Sequence, residues 1–189
     1  MPSLIFAAGG GIETSLLPFY LLRMRAQYEN LSIRVALSPG AQQFVTTTAI
    51  RGATRGEPYT ENVLFDDVNR LPMHLSVATA DLLVIYPATP RILAECAIGS
   101  ITCPVTRTFA FFKKQNVIVT PFLHPDLDHR LYVRHLDTLT ELGCTVLRPT
   151  EGSLSWESGN AWSSTERAIC TSLNLERLAQ SRTFQASRN

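Results

Sequence analysis

Two turns that follow apolar runs carry residues suited to bind a phosphate or a flat cofactor. The run 3–8 ends in Gly9-Gly10-Gly11, and the run 82–86 ends in Pro87-Ala88-Thr89. Glycine lets the backbone approach a phosphate closely, and a helix that follows attracts the anion. The triplet is not G-x-G-x-x-G, however, and Glu13 adds a like charge just after it. An ordinary tight turn and an ordinary strand-to-helix turn therefore remain open as alternatives.

Two histidines lie near predicted strand ends or starts, and the first of them is a candidate for proton transfer. His74 follows Pro72 in a segment expected to begin a short helix, where the helix dipole disfavours protonation of an imidazole. A neutral imidazole just ahead of an apolar strand is a candidate general base. His124 stands between Pro121 and Pro125 at a second predicted strand end. For each histidine, local packing without a chemical role is the alternative.

The composition argues against several functional classes. The chain has 189 residues, 45% of them hydrophobic and 17% charged, which is typical of one globular domain. Lys and Arg number 17 against 16 Asp and Glu, so there is no basic excess for nucleic acid. No apolar run reaches the roughly 20 residues that span a bilayer, and no signal peptide is recognisable, so we expect a cytoplasmic protein without membrane contact. The 4 cysteines lack C-x-x-C spacing, which predicts buried thiols, no metal site and no disulfides.

Alternating strands and helices predict an α/β fold, a single-domain, doubly wound (Rossmann/flavodoxin-like) parallel sheet with helices on both faces. The apolar run 82–86 is typical of a central strand buried on both sides. Ligands of such sheets collect at the carboxyl ends of the strands. We expect the domain to cover residues 1–182, with 183–189 as a flexible tail. The other expected strands are 3–8, 31–37, 116–119 and 144–147, and the expected helices are 12–24, 41–50, 91–98, 130–142 and one capped by Ser164. Gly143 is expected to end the helix 130–142. Helical spacing predicts a core face for two sets of apolar residues, Ile12, Leu16, Phe19, Tyr20 and Met24 in the first helix and Leu131, Val133, Leu136, Leu139 and Leu142 in the helix 130–142.

The segment 151–164 is rich in Ser and Gly but contains Trp156 and Trp162. Two tryptophans are more than a linker needs, so the segment is a candidate lid over a binding site. The alternative is that both tryptophans cover the core.

The order and spacing of these motifs resemble those of the flavin-dependent cysteine decarboxylases. That family includes the epidermin-type peptidyl-cysteine decarboxylases and phosphopantothenoylcysteine decarboxylase. The resemblance covers roughly residues 3–163 and rests on order and spacing, because no single motif is specific. Its landmarks are Gly9-Gly10-Gly11-Ile12, the turn 38–45, Met73-His74-Leu75, Pro87-Ala88-Thr89, Ala97-x-Gly99, Pro121-Phe122-Leu123-His124 and the lid 153–159.

The resemblance implies a cofactor and a role for individual residues. It implies FMN, with FAD possible. The implied cofactor-binding residues are Gly9, Gly10, Gly11, Ile12, Ser38, Gln43, Phe44, Pro87, Ala88, Thr89 and Thr106. The implied catalytic residues are His74, as base for the substrate thiol, and His124, which would orient the substrate carboxylate. The expected substrate-binding residues are Arg91, Leu123, Ser153, Leu154, Trp156, Ser158 and Gly159.

Four departures separate the chain from the family pattern. Gly11 stands where a serine is expected at the flavin phosphate, and Pro90-Arg91-Ile92 stands in place of Ala-Asn-Thr. His124 replaces the catalytic asparagine, and Asp128 replaces a tryptophan. With these departures the chain is similar to the cypemycin-type decarboxylases of the linaridin and thioamide-peptide pathways.

The reaction that the resemblance implies is oxidative decarboxylation of the C-terminal cysteine of a ribosomally made precursor peptide. The product would be an aminoenethiol for S-[(Z)-2-aminovinyl]cysteine (AviCys) formation, because residues 151–164 hold no cysteine that could return the electrons. A homo-oligomer, trimer or dodecamer, with flavin sites at subunit contacts is also implied. The alternatives are a phosphopantothenoylcysteine decarboxylase-like enzyme of coenzyme A synthesis, a non-catalytic flavin-binding partner, a flavin prenyltransferase and a nicotinamide enzyme.

Overall fold

A computed structural model describes residues 1–148 and 160–175. The strands, in chain order, are β1 Ser3–Ala8, β2 Ser32–Leu37, β3 Phe65–Asp66, β4 Leu71–Pro72, β5 Leu82–Ala88, β6 Val117–Pro121 and β7 Thr145–Val146. The α-helices are α1 Leu17–Gln27, α2 Thr47–Thr54, α3 Met73–Val77, α4 Pro90–Ala97, α5 Pro104–Phe111, α6 Arg130–Glu141 and α7 Asn160–Leu173. Short 3₁₀ helices cover Ile12–Leu16, Ala41–Gln43 and Lys114–Asn116.

Five strands form one parallel sheet in the order β2-β1-β5-β6-β7, and β3 pairs with β4 in a separate hairpin. Phe6 in the middle of β1 lies beside Val35 of β2 and Val84 of β5. The predicted doubly wound α/β fold is therefore confirmed.

The central strand β5 is buried on both faces, as its apolar sequence predicted. Leu82, Val84 and Tyr86 belong to one core, whose helical partners lie on α1, α2 and α7. Leu83 and Ile85 belong to the opposite core, which α3 to α6 cover. All seven residues of β5 are buried.

The strand order creates a crevice between β1 and β5. From β1 the chain moves outward to β2, whereas from β5 it moves outward to β6 on the other side. The loops that follow β1 and β5 therefore diverge at the carboxyl edge, which is where open α/β sheets bind ligands. The functional site is therefore expected at this edge of the sheet.

The first helix differs from its prediction in the residues that it buries. Ile12 and Phe19 are 76% and 61% exposed, although the apolar spacing placed them on the core face. Leu17 and Leu21 are buried instead. The reason is that a 3₁₀ helix with three residues per turn comes first, and the α-helix that follows, with Pro18 in its first turn, has a different phase.

Two other helices begin at different residues from those predicted. The helix expected over 41–50 is a 3₁₀ turn followed by α2, whose N-terminus is capped by the Thr46 hydroxyl accepting from the Ala49 N–H at 3.1 Å. The last helix begins at Asn160, so Ser164 lies inside it and does not cap it.

On α6, Leu131 is 63% exposed although the pattern placed it inward.

The four cysteines are buried free thiols, as predicted. Within 1–148 and 160–175, no helix combines the length and the apolar character that a bilayer crossing requires.

Candidate functional site

A cleft opens at the crevice between β1 and β5. It brings together the loops after β1, β2 and β5 and the start of α5, which are far apart in sequence. Its lining residues are Gly10, Ser38, Pro39, Gly40, Thr89, Arg91, Ile92 and Cys103. The cleft volume of about 130 Å³ is less than the roughly 300 Å³ of a complete small-molecule pocket. The described part of one chain therefore offers part of a cofactor site.

Glycine is required at two positions of this cleft because the loops approach closely. A Cβ on Gly10 would lie 2.6 Å from the carbonyl carbon of Gly40. This atom belongs to the backbone, so no change of side-chain rotamer could relieve the clash. A Cβ on Gly9 would lie 2.8 Å from the Pro87 carbonyl oxygen, which accepts a hydrogen bond from the Gly9 N–H at 3.0 Å. At Gly11 the nearest atom would be 3.5 Å away, so a side chain fits there.

The turn after β1 presents backbone donors without acceptors. Within the described residues, the N–H groups of Gly10, Gly11 and Ile12 have no hydrogen-bond partner. Successive free N–H groups in a concave turn suit an anion. The close glycine contacts and these donors fit the phosphate end of a flavin nucleotide.

The Glu13 carboxylate, which argued against a phosphate in the sequence, is directed elsewhere. Its Oε1 accepts hydrogen bonds from Tyr86 at 2.8 Å and from Tyr20 at 3.2 Å. Burial, followed by the bond to Glu13, raises the pKa of Tyr86 far above its usual range, and the pKa of Tyr20 is also raised by burial and by Glu13. Both phenols therefore stay protonated as donors. Glu13 is absent from the residues that line the cleft.

Arg91 brings a cation to the edge of the cleft. Its Nε donates to Glu95 at 2.7 Å, and Glu95 in turn accepts from the Thr102 hydroxyl at 2.6 Å. The Arg91 side chain is 73% exposed, so the rest of the guanidinium faces solvent. The hydrogen bond to Glu95 raises the pKa of Arg91, which keeps it charged. Arg91 thus has donors left for an anionic substrate group.

Apart from Thr106, the other predicted cofactor residues occupy two kinds of position. Pro87 and Ala88 are buried and offer their backbone to neighbours, since Ala88 O accepts from the Phe122 N–H at 2.8 Å. Ile12, Gln43 and Phe44 are exposed beside the cleft and do not line it.

Thr106 has a structural role in the described chain. Its hydroxyl accepts from the N–H groups of Thr102 and Cys103, both at 3.1 Å, and donates to the Cys103 carbonyl at 3.2 Å. One donor and two lone pairs are all that a hydroxyl has. The predicted contact between the Thr106 hydroxyl and the cofactor therefore finds no free group, because the hydroxyl caps α5.

His124 lies at the same edge of the sheet as the cleft, after β6. Its side chain is 73% exposed; Nδ1 accepts from the Asp126 N–H at 3.2 Å and lies 3.7 Å from the Asp126 carboxylate. Leu123 is 5% exposed and belongs to the core that α6 helps to cover, so its side chain is turned into the protein. Its predicted role in substrate binding stays a prediction.

His74 lies away from the cleft of its own chain. Its ring is 4.9 Å from the ring of Phe111, the last residue of α5. Cys103, which precedes α5, lines the cleft. A helix of this length measures about 12 Å, so one chain does not bring His74 to its own cleft.

The predicted lid residues Ser153, Leu154, Trp156, Ser158 and Gly159 lie outside the described residues. Trp162 is described, and its assignment to the lid is wrong. It is 3% exposed in the first turn of α7 and stacks on Tyr20 with ring centroids 4.1 Å apart.

A polar network that sequence reasoning missed fixes α3, and with it His74. Arg34 on β2 donates to the Ser76 hydroxyl at 2.9 Å and to the Ser76 carbonyl at 2.6 Å. Asp66 on β3 accepts from the hydroxyl of the same Ser76 and from the Asn69 amide. Burial acts to raise the pKa of Asp66, but the hydrogen bonds from Ser76 and Asn69 outweigh it and lower the pKa to about 2. Asp66, Asn69 and Ser76 are close in sequence, but Arg34 lies 42 residues before Ser76, so no local pattern signals its part in this network.

Replacing Asp66 with asparagine should destabilise the fold at neutral pH. The folded-state pKa lies below the unfolded value near 3.8, so ionised Asp66 stabilises the protein above about pH 4 and this contribution is lost as the pH falls towards about 2. The shift corresponds to a stabilisation on the order of 2 kcal/mol. Urea unfolding at neutral and acidic pH measures it. The control is Asp67→Asn at the adjacent exposed carboxylate; equal unfolding midpoints for the two variants at neutral pH would contradict the role given to Asp66.

Comparison with known protein families gives one match over most of the chain. A family model described as Flavoprotein matches residues 4–174. The coenzyme A biosynthesis bifunctional protein CoaBC of Mycobacterium tuberculosis is 33% identical over 131 residues, which cover 68% of this chain and 30% of that protein. The chain thus spans about a third of the length of the curated relatives that it matches, since the Escherichia coli CoaBC match covers 36% of that protein.

Solved structures share the fold. The FMN-dependent cysteine decarboxylase TvaF from thioviridamide biosynthesis is 27% identical, with a TM-score of 0.69 over 79% of this chain and 91% of TvaF. The cypemycin decarboxylase CypD has a TM-score of 0.67 at 17% identity over 88% of this chain and 93% of CypD, a likeness of fold alone. The resemblance to cysteine decarboxylases and the flavin class of cofactor, both predicted from the motifs, are confirmed at the level of the family.

Proposed function

The chain belongs to the Flavoprotein family, and from that premise we propose that it is an FMN-dependent decarboxylase of a C-terminal peptidyl cysteine. The observation that carries the proposal is the glycine-walled cleft at the carboxyl edge, with free backbone donors on one side and Arg91 on the other. The backbone N–H donors suit the phosphate of a flavin, and the guanidinium of Arg91 suits the carboxylate of a substrate.

The cofactor in this proposal is FMN, as it is for the similar TvaF. The N–H groups of Gly10, Gly11 and Ile12 would hold its phosphate, and the hydroxyls of Ser38 and Thr89 are near enough to the turn to add donors. Gly11 lacks the hydroxyl of the expected serine, so backbone donors carry more of the binding.

When bound, FMN supplies an acceptor for the hydride that leaves the cysteine Cβ. His74 takes the proton of the substrate thiol, so that oxidation gives a thioaldehyde. Arg91 and His124 hold the carboxylate until it leaves as CO₂, and the electron pair left on Cα moves onto sulfur as an enethiolate. The product lacks CO₂ and two hydrogens relative to the substrate.

The proposed protein is a homo-oligomer, and the position of His74 supports this. Since His74 lies about one α5 length from its own cleft, it would act in the cleft of a neighbouring subunit. A head-to-tail contact forms a ring when the rotation between subunits closes, and a trimer, alone or within a dodecamer, is the assembly that we propose. The exposed apolar residues around His74 support this arrangement; they are Val68, Leu71, Leu75 and Phe111.

The proposed substrate is a precursor peptide that ends in cysteine, and the product is the aminoenethiol used for AviCys formation. The absence of a cysteine from residues 151–164 supports an oxidised product. The likeness to CoaBC favours a second candidate, a phosphopantothenoylcysteine-type substrate of coenzyme A biosynthesis.

Mass spectrometry of the products tests the proposal. The FMN-loaded protein is incubated with a peptide that ends in Cys, with the same peptide ending in Ser, and with phosphopantothenoylcysteine. We expect loss of CO₂ and two hydrogens from the Cys peptide and no change in the Ser peptide, which has no thiol to oxidise. Turnover of phosphopantothenoylcysteine alone would favour the coenzyme A reaction, and turnover of neither would contradict decarboxylase activity.

A further inference from the structure

We propose that the hydrogen bond between Tyr86 and Glu13 ties the loop after β1 to strand β5 and thereby sets the preference for FMN over riboflavin. The inference rests on the proposed flavin site and assigns positioning residues to it. Neither side chain touches the cleft itself.

Tyr86 is a fixed anchor for this tie. It is fully buried at the end of the central strand, directly before Pro87. Its ring packs edge-on against Phe122 and Trp162, with centroids 5.4 Å and 5.6 Å apart. The hydroxyl donates to Glu13 at 2.8 Å. A phenol ring packed in this way has little rotational freedom. The hydrogen bond from its hydroxyl therefore fixes the position of the Glu13 carboxylate relative to β5.

Because Glu13 is covalently continuous with the glycine turn, fixing Glu13 also fixes that end of the turn. Glu13 is the second residue of the 3₁₀ helix that begins at Ile12, so its backbone continues directly from the three free N–H groups. The other end of the turn is fixed by the bond from the Gly9 N–H to Pro87 O and by the Thr14 hydroxyl, which donates to Gly9 O at 2.7 Å. The turn is thus held at both ends, and the donors lie between them.

The tie also keeps a negative charge out of the cleft. Two tyrosine hydroxyls hold the Glu13 Oε1 on the side of the aromatic core. Without the Tyr86 hydroxyl, the carboxylate could swing towards an anion bound three residues earlier in the chain. The looser turn and the like charge would both weaken the binding of a phosphate, and neither acts on a flavin that has no phosphate.

The test compares FMN with riboflavin, measured by quenching of flavin fluorescence on titration with the apoprotein. For Tyr86→Phe we expect the FMN/riboflavin affinity ratio to fall about tenfold, which is the loss of one hydrogen bond to a charged group. A role that was merely structural would weaken both flavins equally or lower the melting temperature alone. An unchanged ratio would overturn the proposal.

Variants of Glu13 provide a second test if Tyr86→Phe folds poorly. Glu13 is only half-buried, so its replacement should disturb the fold less than replacement of the buried Tyr86. Glutamine retains an acceptor for the phenol, whereas alanine does not, and both remove the charge. We expect Glu13→Gln to retain the wild-type ratio or exceed it, and Glu13→Ala to lose about tenfold against Glu13→Gln. Equal FMN/riboflavin affinity ratios for Glu13→Gln and Glu13→Ala would overturn the role proposed for the Tyr86–Glu13 hydrogen bond. If the wild-type protein binds neither flavin, the proposed function itself is wrong. If the wild-type protein binds FMN and the variants leave the FMN/riboflavin affinity ratio unchanged, only the role proposed for the Tyr86–Glu13 hydrogen bond is wrong.

Discussion

Replacing His74 with asparagine should lower the turnover of a Cys-terminated peptide by about 10²–10⁴-fold, the usual effect of losing a general base. An amide cannot accept the thiol proton at any working pH, whereas FMN binding should be retained because the proposed phosphate donors are the N–H groups of Gly10, Gly11 and Ile12 and not His74. The measurements are kcat on the peptide and the bound flavin per subunit. His135→Asn is the matched control, since His135 is another half-buried helical histidine beside an aromatic ring.

Mixing two inactive variants tests whether His74 acts in a neighbouring subunit. The partner is a variant that cannot bind FMN but retains His74, such as Thr89→Glu, which places a carboxylate in the cleft. In mixed oligomers the intact cleft of one variant would meet the His74 of the other, so activity should reappear. Full activity of His74→Asn alone would remove His74 from the mechanism, and failure of the mixture to recover activity would place its action within one chain.

Replacing Gly10 with alanine should abolish FMN binding, whereas Gly11→Ala should not. The added Cβ at Gly10 meets the Gly40 backbone at 2.6 Å, so the loops after β1 and β2 must separate. We expect this to cost roughly 1–3 kcal/mol of stability, as overpacking does, and to remove the aligned donors. At Gly11 the nearest atom is 3.5 Å away and φ is −148°, which any residue adopts.

Flavin titration and thermal unfolding of both alanine variants measure this contrast. Gly11→Ser extends it, because a hydroxyl at this position adds a donor at the free N–H groups and should tighten FMN binding. Wild-type FMN affinity in Gly10→Ala would contradict the location of the phosphate in this turn.

The amino-acid sequence by itself determined the sheet and the location of its ligand edge. An uninterrupted apolar run from Leu82 to Tyr86 has no polar face to give to water, so it predicts a strand covered on both sides, and both cores are present. The end of α6 was also predicted, because Gly143 takes the positive φ of 98° that follows many helices. Glycine next to a strand end signalled the cleft for a similar reason, since only the absence of a Cβ permits the close approach of two loops.

Only the tertiary structure decided which side chains act together. Sequence periodicity gave the helices but not their phase after a 3₁₀ turn, so Ile12 and Phe19 are exposed where a core face was expected. The contact of Gly10 with Gly40 and the hydrogen bond of Tyr86 to Glu13 join segments that are distant in sequence. The separation of His74 from its own cleft likewise depends on the length and direction of α5. Such pairings leave no local pattern, because they are set by how parallel strands order themselves and bring their carboxyl ends to one edge.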